Sequence, residues 1–354
     1  MNTPLRIGII GCGRISAGHI LGIGEAHDGV VTALCDIDEE KLREKGDALH
    51  IPAERRFRDY HDLIDCPEVD AVEICTPNDL HVPMAAAVIR AGKPVNIEKP
   101  LTTTCAALAP VEEALRERQV PNMMCFSYRF MPAVRFAKEI VDKGLLGNII
   151  TAQVEYLQSG AFIEGRRLEW RFDKPRTGTG AIGDLGVHLI DMTRYLLGDF
   201  RAVCGRKGIV VKQRRKLDSE ELAPVTADDY AMFLADLECG ATASFTVTRC
   251  AIGHSNTIRY DLFGTEGVLS FNLNDPTVLG VCLGEVDRKT GGLHTVKVPP
   301  QYRASQEQTF IDLALGRCRE PVAGIPDGIA CQRILDAIDR SSDENTWISI
   351  EKGK

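Results

Sequence analysis

Three stretches of this chain carry residue types whose spacing suits moving a hydride and a proton together. A lysine stands where an apolar run ends, in Asn96-Ile97-Glu98-Lys99-Pro100. An aspartate and a histidine stand four apart in Gly183-Asp184-Leu185-Gly186-Val187-His188. A glycine-rich turn, Gly11-Cys12-Gly13-Arg14-Ile15-Ser16, follows the apolar run Leu5–Ile10. Oxidising an alcohol carbon sends a hydride to a nicotinamide and a proton to a base. An ammonium next to that nicotinamide can hold the reacting hydroxyl and relay its proton. Imidazole suits the base, because its ordinary pKa lies near neutrality. Positions four apart share a helix face, so Asp184 can bind a second hydroxyl or favour protonated imidazole. Glu98 can position the ammonium, and Pro100 disfavours helical backbone at Lys99. Alone, each stretch has a plain alternative: a tight turn, a surface lysine, or a helix-start aspartate with a buried structural histidine.

The elements that must hold these residues alternate along the first part of the chain. Strand-like apolar runs at Leu5–Ile10, Val30–Cys35, Ala71–Cys75, Pro94–Ile97 and Asn122–Phe126 are separated by helical patterns, for example Leu80, Met84 and Val88. Such alternation predicts a doubly wound parallel sheet covered on both faces, with ligands at the carboxyl ends of its strands. Asp36, Thr76-Pro77-Asn78, Glu98-Lys99 and Tyr128 all fall at those ends. The glycine turn between strand and helix sets backbone N–H groups against a pyrophosphate. Asp36 can take both ribose hydroxyls and repel a 2′-phosphate. With no arginine in 35–40, NAD is expected rather than NADP.

Beyond Gly147 the pattern changes. A strand at Ile149–Gln158 and a helix at Val187–Leu197 precede strands at Tyr230–Leu237, Thr242–Thr248, Ile258–Phe263, Val268–Phe271 and Val278–Leu283. Strands without intervening helices predict an α/β domain built on a mostly antiparallel sheet. The boundary is expected at 126/127: a dinucleotide-binding domain over 1–126, and a substrate-binding and oligomerisation domain over 127–354. The C-terminal segment is left open to pack back on the first domain.

Composition bounds the partners. The 354 residues are 44% hydrophobic and 26% charged, with a net charge of -8. That balance argues against nucleic acid, and the basic cluster in 207–216 reads as a solvated hairpin or loop. No apolar run is long enough to span a bilayer, and Met1-Asn2-Thr3-Pro4-Leu5-Arg6 leaves no room for a leader before the first strand. Twelve scattered cysteines without Cys-x-x-Cys fit a reducing cytoplasm and no metal site.

Taken in order, Gly11-Cys12-Gly13-Arg14-Ile15, Thr76-Pro77-Asn78 with His81, Glu98-Lys99-Pro100, Trp170-Arg171 and Asp184-Leu185-Gly186-Val187-His188 with Asp191 resemble the Gfo/Idh/MocA family. That family includes glucose–fructose oxidoreductase and inositol 2-dehydrogenase. The resemblance spans nearly the whole chain. It implies a Rossmann domain followed by an α/β domain with a large open sheet used for homodimer or homotetramer contacts. It implies Lys99, Asp184 and His188 as the catalytic set. Gly11, Gly13, Arg14, Ile15, Asp36, Thr76, Pro77, Asn78, His81, Glu98, Lys99, Trp170 and Arg171 would lie along the cofactor, with Tyr128 and Arg129 toward the substrate. The implied substrate is a sugar, cyclitol or sugar derivative. Two other readings stay open: an enzyme that keeps and recycles bound NAD(H), in glycoside cleavage or sugar–sugar redox, and a non-catalytic NAD-binding regulator. Thr177-Gly178-Thr179-Gly180-Ala181 departs from the three glycines of many relatives, which leaves the substrate's identity open.

Overall fold

The computed structural model of the chain describes residues 3–351; Met1 and Asn2, part of the start read above, lie outside them. The chain divides into two compact units, Met1–Phe126 with Ala304–Ile329, and Ser127–Arg303 with Ala330–Lys354.

In the first unit, strands β1 (Leu5–Ile10), β2 (Gly29–Cys35), β3 (Arg56–Phe57), β4 (Ala71–Ile74), β5 (Val95–Ile97) and β6 (Asn122–Met124) form one sheet in the order β3-β2-β1-β4-β5-β6. Every pairing is parallel. The order reverses beside β1, at the point where doubly wound sheets bind dinucleotides. Helices α1 (Ser16–Glu25), α2 (Glu39–Ala48), α3 (Tyr60–Asp65), α4 (Asn78–Ala91) and α5 (Ala109–Glu117) connect the strands. Their ends are chemically marked. The Asp38 carboxylate accepts from Glu40 N and Lys41 N at the start of α2, and Gly92, at φ 79°, stops α4. Ile7, Ile9, Leu34, Val72, Val95 and Ile97 are fully buried.

Residues 304–329, within the C-terminal segment left open to pack back, belong to the first unit. Ile311, on the helix Gln306–Ala314, fills the space that a side chain on Gly29 would take, and Ala323 O accepts from Met124 N at the β6 edge.

In the second unit, nine strands form a sheet: β7 (Ile149–Leu157), β8 (Phe200–Gly208), β11 (Tyr230–Leu237), β12 (Thr242–Thr248), β13 (Thr257–Gly264), β14 (Gly267–Asn272), β15 (Val278–Leu283), β16 (His294–Lys297) and β17 (Ile348–Ser349). Two short strands, β9 (Gln213–Arg215) and β10 (Leu222–Pro224), pair separately as a hairpin. The sheet order is β16-β15-β14-β13-β7-β12-β11-β8-β17, antiparallel except for β12 on β7. Along β11 burial alternates residue by residue, so one face of the sheet is core. On that face Phe233 stacks on Phe245, with ring centroids 4.3 Å apart, and the buried Tyr260 hydroxyl donates to Leu189 O on the helix Val187–Leu197.

The basic cluster at 207–216 does include β9, one strand of the β9–β10 hairpin, but Arg214 is not solvated. It is buried, donates to Arg166 O and Ala161 O, and lies 4.2 Å from the Phe172 ring centroid. Stacking and two carbonyl bonds compensate for removing the guanidinium from water.

Candidate active site

The residues expected along the cofactor lie mostly on the first unit. Gly11 lies at φ +99°, and a Cβ there would sit 2.7 Å from Cys75 O, so only glycine brings the turn this close to β4. Ser16, in the third small position, is buried, and its hydroxyl donates to Gly13 O at 2.8 Å. Helix α1 has no side chain capping its start at Ile15, where an anion would complement the end of the helix. Asp36, half-buried at the end of β2, accepts from Cys12 N at 2.6 Å and Asp38 N at 2.9 Å. A carboxylate offers about four acceptor positions, so these bonds fix it toward the glycine turn while leaving capacity for ribose hydroxyls. The residues present therefore fit a dinucleotide.

Thr76 and Pro77 lead into α4, and Asn78 is its first residue. His81 is fully buried, with Nδ1 2.7 Å from Pro100 O and Nε2 2.8 Å from Thr76 O. Burial lowers its pKa, and those two carbonyls pull the other way. It thus braces the Thr76 turn against the segment after β5. Both ring nitrogens of the imidazole face backbone carbonyls. Lys99 is half-buried at the carboxyl end of β5, and the Lys99–Pro100 peptide is cis. Glu98 Oε2 accepts from Lys99 N at 3.1 Å, and Glu98 Oε1 lies 3.1 Å from His19 Nε2. Glu98 therefore grips the backbone of Lys99 and a histidine of α1.

Asp184, His188, Tyr128 and Arg129 lie on the second unit. His188 is the second residue of the helix Val187–Leu197, and Asp184 lies in a wider π-helical turn, Ile182–Gly186, just before it. One continuous α-helix was expected here; the wider turn opens where Asp228 captures the backbone. Its carboxylate accepts from Gly180 N at 2.5 Å and Ile182 N at 2.9 Å, and its carbonyl from Ala181 N at 2.8 Å. Burial pushes the Asp228 carboxyl up, against those N–H groups and the charge of Arg249. Arg249, 4% exposed, donates to Asp184 Oδ2 at 2.9 Å and Gly180 O at 3.3 Å, so the aspartate is held by a buried guanidinium.

The Tyr128 ring meets His188 edge-on, with centroids 4.7 Å apart. The Tyr128 hydroxyl lies 2.8 Å from that of Tyr156, Tyr156 donates to Asn256 Oδ1 at 2.7 Å, and Asn256 Nδ2 donates to Tyr128 at 3.2 Å. Burial, then Tyr128, raises the Tyr156 phenol, keeping it un-ionised. The Arg129 guanidinium makes a bidentate pair with Asp191, which is 1% exposed, at 2.7 and 2.6 Å, and so braces the Tyr128 turn against the helix. Trp170 and Arg171 share one short turn, with the Arg171 guanidinium 4.5 Å from the Trp170 ring centroid.

Gly180 has no room to change. A Cβ there would lie 1.9 Å from Asp228 O. Gly180→Ala is therefore expected to cost about 1–3 kcal/mol, the range for overpacking, and to displace Asp184. A thermal midpoint equal to that of the unaltered chain would disprove this.

Comparison with known proteins agrees with this architecture. Residues 5–126 match the NAD-binding Rossmann-fold model of the oxidoreductase family, and residues 134–270 match the GFO/IDH/MocA C-terminal domain. The chain belongs to the Gfo/Idh/MocA family. Within this family, levoglucosan dehydrogenase from Pseudarthrobacter phenanthrenivorans is 29% identical over 98% of both chains. Inositol 2-dehydrogenase 2 from Saccharopolyspora erythraea is 31% identical over 78% of this chain and 75% of its own. A levoglucosan dehydrogenase solved with NADH and L-sorbose superposes with a TM-score of 0.91 at 29% identity, covering 99% of this chain and 100% of that one. The chain is thus an NAD-binding oxidoreductase of the Gfo/Idh/MocA type.

His19, Glu73, Tyr156, Asp228, Arg249 and Asn256 did not stand out in the sequence. Two of them left a trace: the carboxylate inside Ala71-Val72-Glu73-Ile74-Cys75 and the arginine closing a strand-like run at 249 both put charge where burial was expected.

Proposed function

We propose that the protein transfers a hydride between NAD and a secondary hydroxyl or ketone of a sugar, cyclitol or sugar derivative. The observation that carries this reading is Lys99 at the carboxyl end of β5, in the same parallel sheet whose β1 opens into the glycine turn. Gly11, Gly13, Arg14 and Ile15 would hold the pyrophosphate, Asp36 the adenine ribose, and Thr76, Pro77 and Asn78 the nicotinamide half. Trp170 and Arg171 would also serve the cofactor. When bound, the nicotinamide supplies the hydride acceptor or donor.

The chain's own residues supply the rest. Lys99 holds and polarises the reacting oxygen, and His188 takes or returns its proton. Asp184, fixed by Arg249, accepts from a further substrate hydroxyl, and Tyr128 offers the substrate a hydroxyl already set by Tyr156 and Asn256. The Asp36 carboxylate favours NAD over NADP by repelling a 2′-phosphate.

The second unit also supports self-association through its sheet. The outer face of β11 exposes Tyr230, Met232 (58%) and Leu234 (45%), an apolar row suited to a homodimer or homotetramer. Among the described residues no helix is long and apolar enough to cross a membrane. We place the protein in the cytoplasm, where its twelve free cysteines stay reduced. At a net charge of -8 we assign it neither nucleic acid nor membrane partners.

A substrate panel tests the reading. The purified chain with NAD and a set of hexoses, anhydrosugars, inositols and sugar acids is expected to form NADH with at least one, and less NADPH when NADP replaces NAD. Faster reduction of NADP would overturn the Asp36 argument. No NADH with any member, together with reduced-nicotinamide absorbance in the purified protein, would favour a recycled cofactor.

A further inference from the structure

Behind the glycine turn, the first unit holds a buried ionic cluster that binding and chemistry do not by themselves require. His19 is on α1, with its side chain 5% exposed. Its Nδ1 lies 2.9 Å from Glu73 Oε2, and its Nε2 3.1 Å from Glu98 Oε1. Glu307 Oε1 is farther from Nδ1, at 3.7 Å. Glu73, 1% exposed on central strand β4, accepts from Asn96 Nδ2 at 3.2 Å, and Asn96 Oδ1 accepts from the Cys125 thiol at 3.2 Å. Glu98 completes the chain by accepting from Lys99 N. A line of polar contacts thus runs from the end of β6 through β5, β4 and α1 to the lysine.

The charge state follows from the geometry. Glu98 meets Nε2 within hydrogen-bond reach, while Glu73 approaches Nδ1 as an ion pair without hydrogen-bond alignment; two carboxylates so close favour the protonated ring. Burial works against that charge, and the negative charge of Glu73 favours it. Burial raises both thiols and the Glu307 carboxyl, so the negative charge facing the ring comes from Glu73 and Glu98. Burial also pushes the Glu98 carboxyl up, yet the His19 hydrogen bond and the charges of His19 and Lys99 bring it below the ordinary range. Cys75 and Cys125 lie close enough to complete ligand triads with His19 and a glutamate. Burial keeps both thiols protonated, however, so neither is a ready metal ligand.

A buried cation near a helix N-terminus opposes the helix dipole. Burying it with two carboxylates is also expensive unless the arrangement does something. We propose that His19 is a positioning residue for Lys99: anchored on Glu73, it fixes Glu98, whose second oxygen sets the backbone from which the lysine reaches. This rests on the reading of Lys99 as the polarising group. His81, bonded to Pro100 O, holds the other side of the same segment, so Lys99 is braced at its N–H and across the next peptide. Misplacement by about 1 Å can cost a hundredfold in rate; losing one of two braces should cost less.

The test uses the full chain and the substrate found in the panel. His19→Ala is expected to lower kcat by about tenfold or more while NADH affinity and KM stay within about threefold. Because His19 acts only through Lys99, adding His19→Ala to Lys99→Ala should lower kcat no further. If the alanine variant does not fold, His19→Leu, which fills the space without a donor for Glu98, should show the same pattern. In the unaltered chain, ring nitrogen shifts should report His19 doubly protonated at pH 7.5. Undiminished kcat in His19→Ala, equal losses with and without Lys99, kcat and NADH affinity falling together, or a neutral ring at pH 7.5 would each overturn the proposal. Full activity in Lys99→Ala alone would overturn the underlying reading of the lysine, a separate result.

Discussion

Lys99→Ala is expected to bind NADH as tightly as the unaltered chain and to turn over at least about a hundredfold more slowly. The separation follows from where the residue's bonds lie. The bond from the Lys99 backbone N–H to Glu98 does not need the side chain, so it survives when the side chain is cut back. Glu98 keeps His19, and the Thr76 turn keeps His81. The glycine turn, Asp36 and the start of α1 are untouched, so pyrophosphate and ribose keep their sites. What disappears is a positive charge held where negative charge builds on the substrate oxygen. Lys99→Arg separates two versions of this role. Guanidinium keeps the charge but cannot give up its proton. Recovery of rate in the arginine variant would mean that charge alone suffices. Loss in both variants would assign proton relay to the lysine as well. Turnover unchanged in the alanine variant would remove Lys99 from the mechanism.

The parts of this site visible in the sequence are those where a local pattern has a physical cause. Leu5–Ile10 is a strand over those very residues because an apolar run of that length, ending at Gly11, can only be a buried strand before a turn. Asp36 was found because it sits one residue beyond such a run. The strands Tyr230–Leu237 and Thr242–Thr248 were legible through their alternation and the Glu238-Cys239-Gly240 turn between them.

What escaped depends on long-range pairing. Asp228 reaches back 48 residues to Gly180, and Arg249 reaches back 65 to Asp184, with nothing in either neighbourhood to announce it. The parallel pairing of β12 with β7 and the return of residues 304–329 to the first unit are topological, so no window of sequence contains them. Glu73 and Arg214 were missed for a different reason. Charged side chains are read as solvent-facing by default, and only the finished structure supplies His19 for one and Phe172 with two carbonyls for the other.

His188→Ala should lose about 10²–10⁴-fold in kcat, the range for removing a positioned acid/base group, without losing the fold. The imidazole contributes an edge-on contact to Tyr128, and such ring contacts are worth only about 0.5–1.5 kcal/mol. Arg249 holds the Asp184 carboxylate from the β12 side. Arg129 and Asp191 still fix the Tyr128 turn, and Tyr156 and Asn256 still fix its hydroxyl. Substrate binding should therefore survive better than turnover, with KM moving by a few-fold at most. The pH profile carries the sharper prediction. If imidazole is the base in oxidation, the limb of the kcat/KM profile that reports it should flatten in the variant, and reduction of the ketone should lose the opposite limb. A variant with full kcat/KM and an unshifted profile would mean that the proton leaves by another route. The nearest candidate within the second unit is the Tyr128 hydroxyl, and Tyr128→Phe would then be the change that stops the reaction.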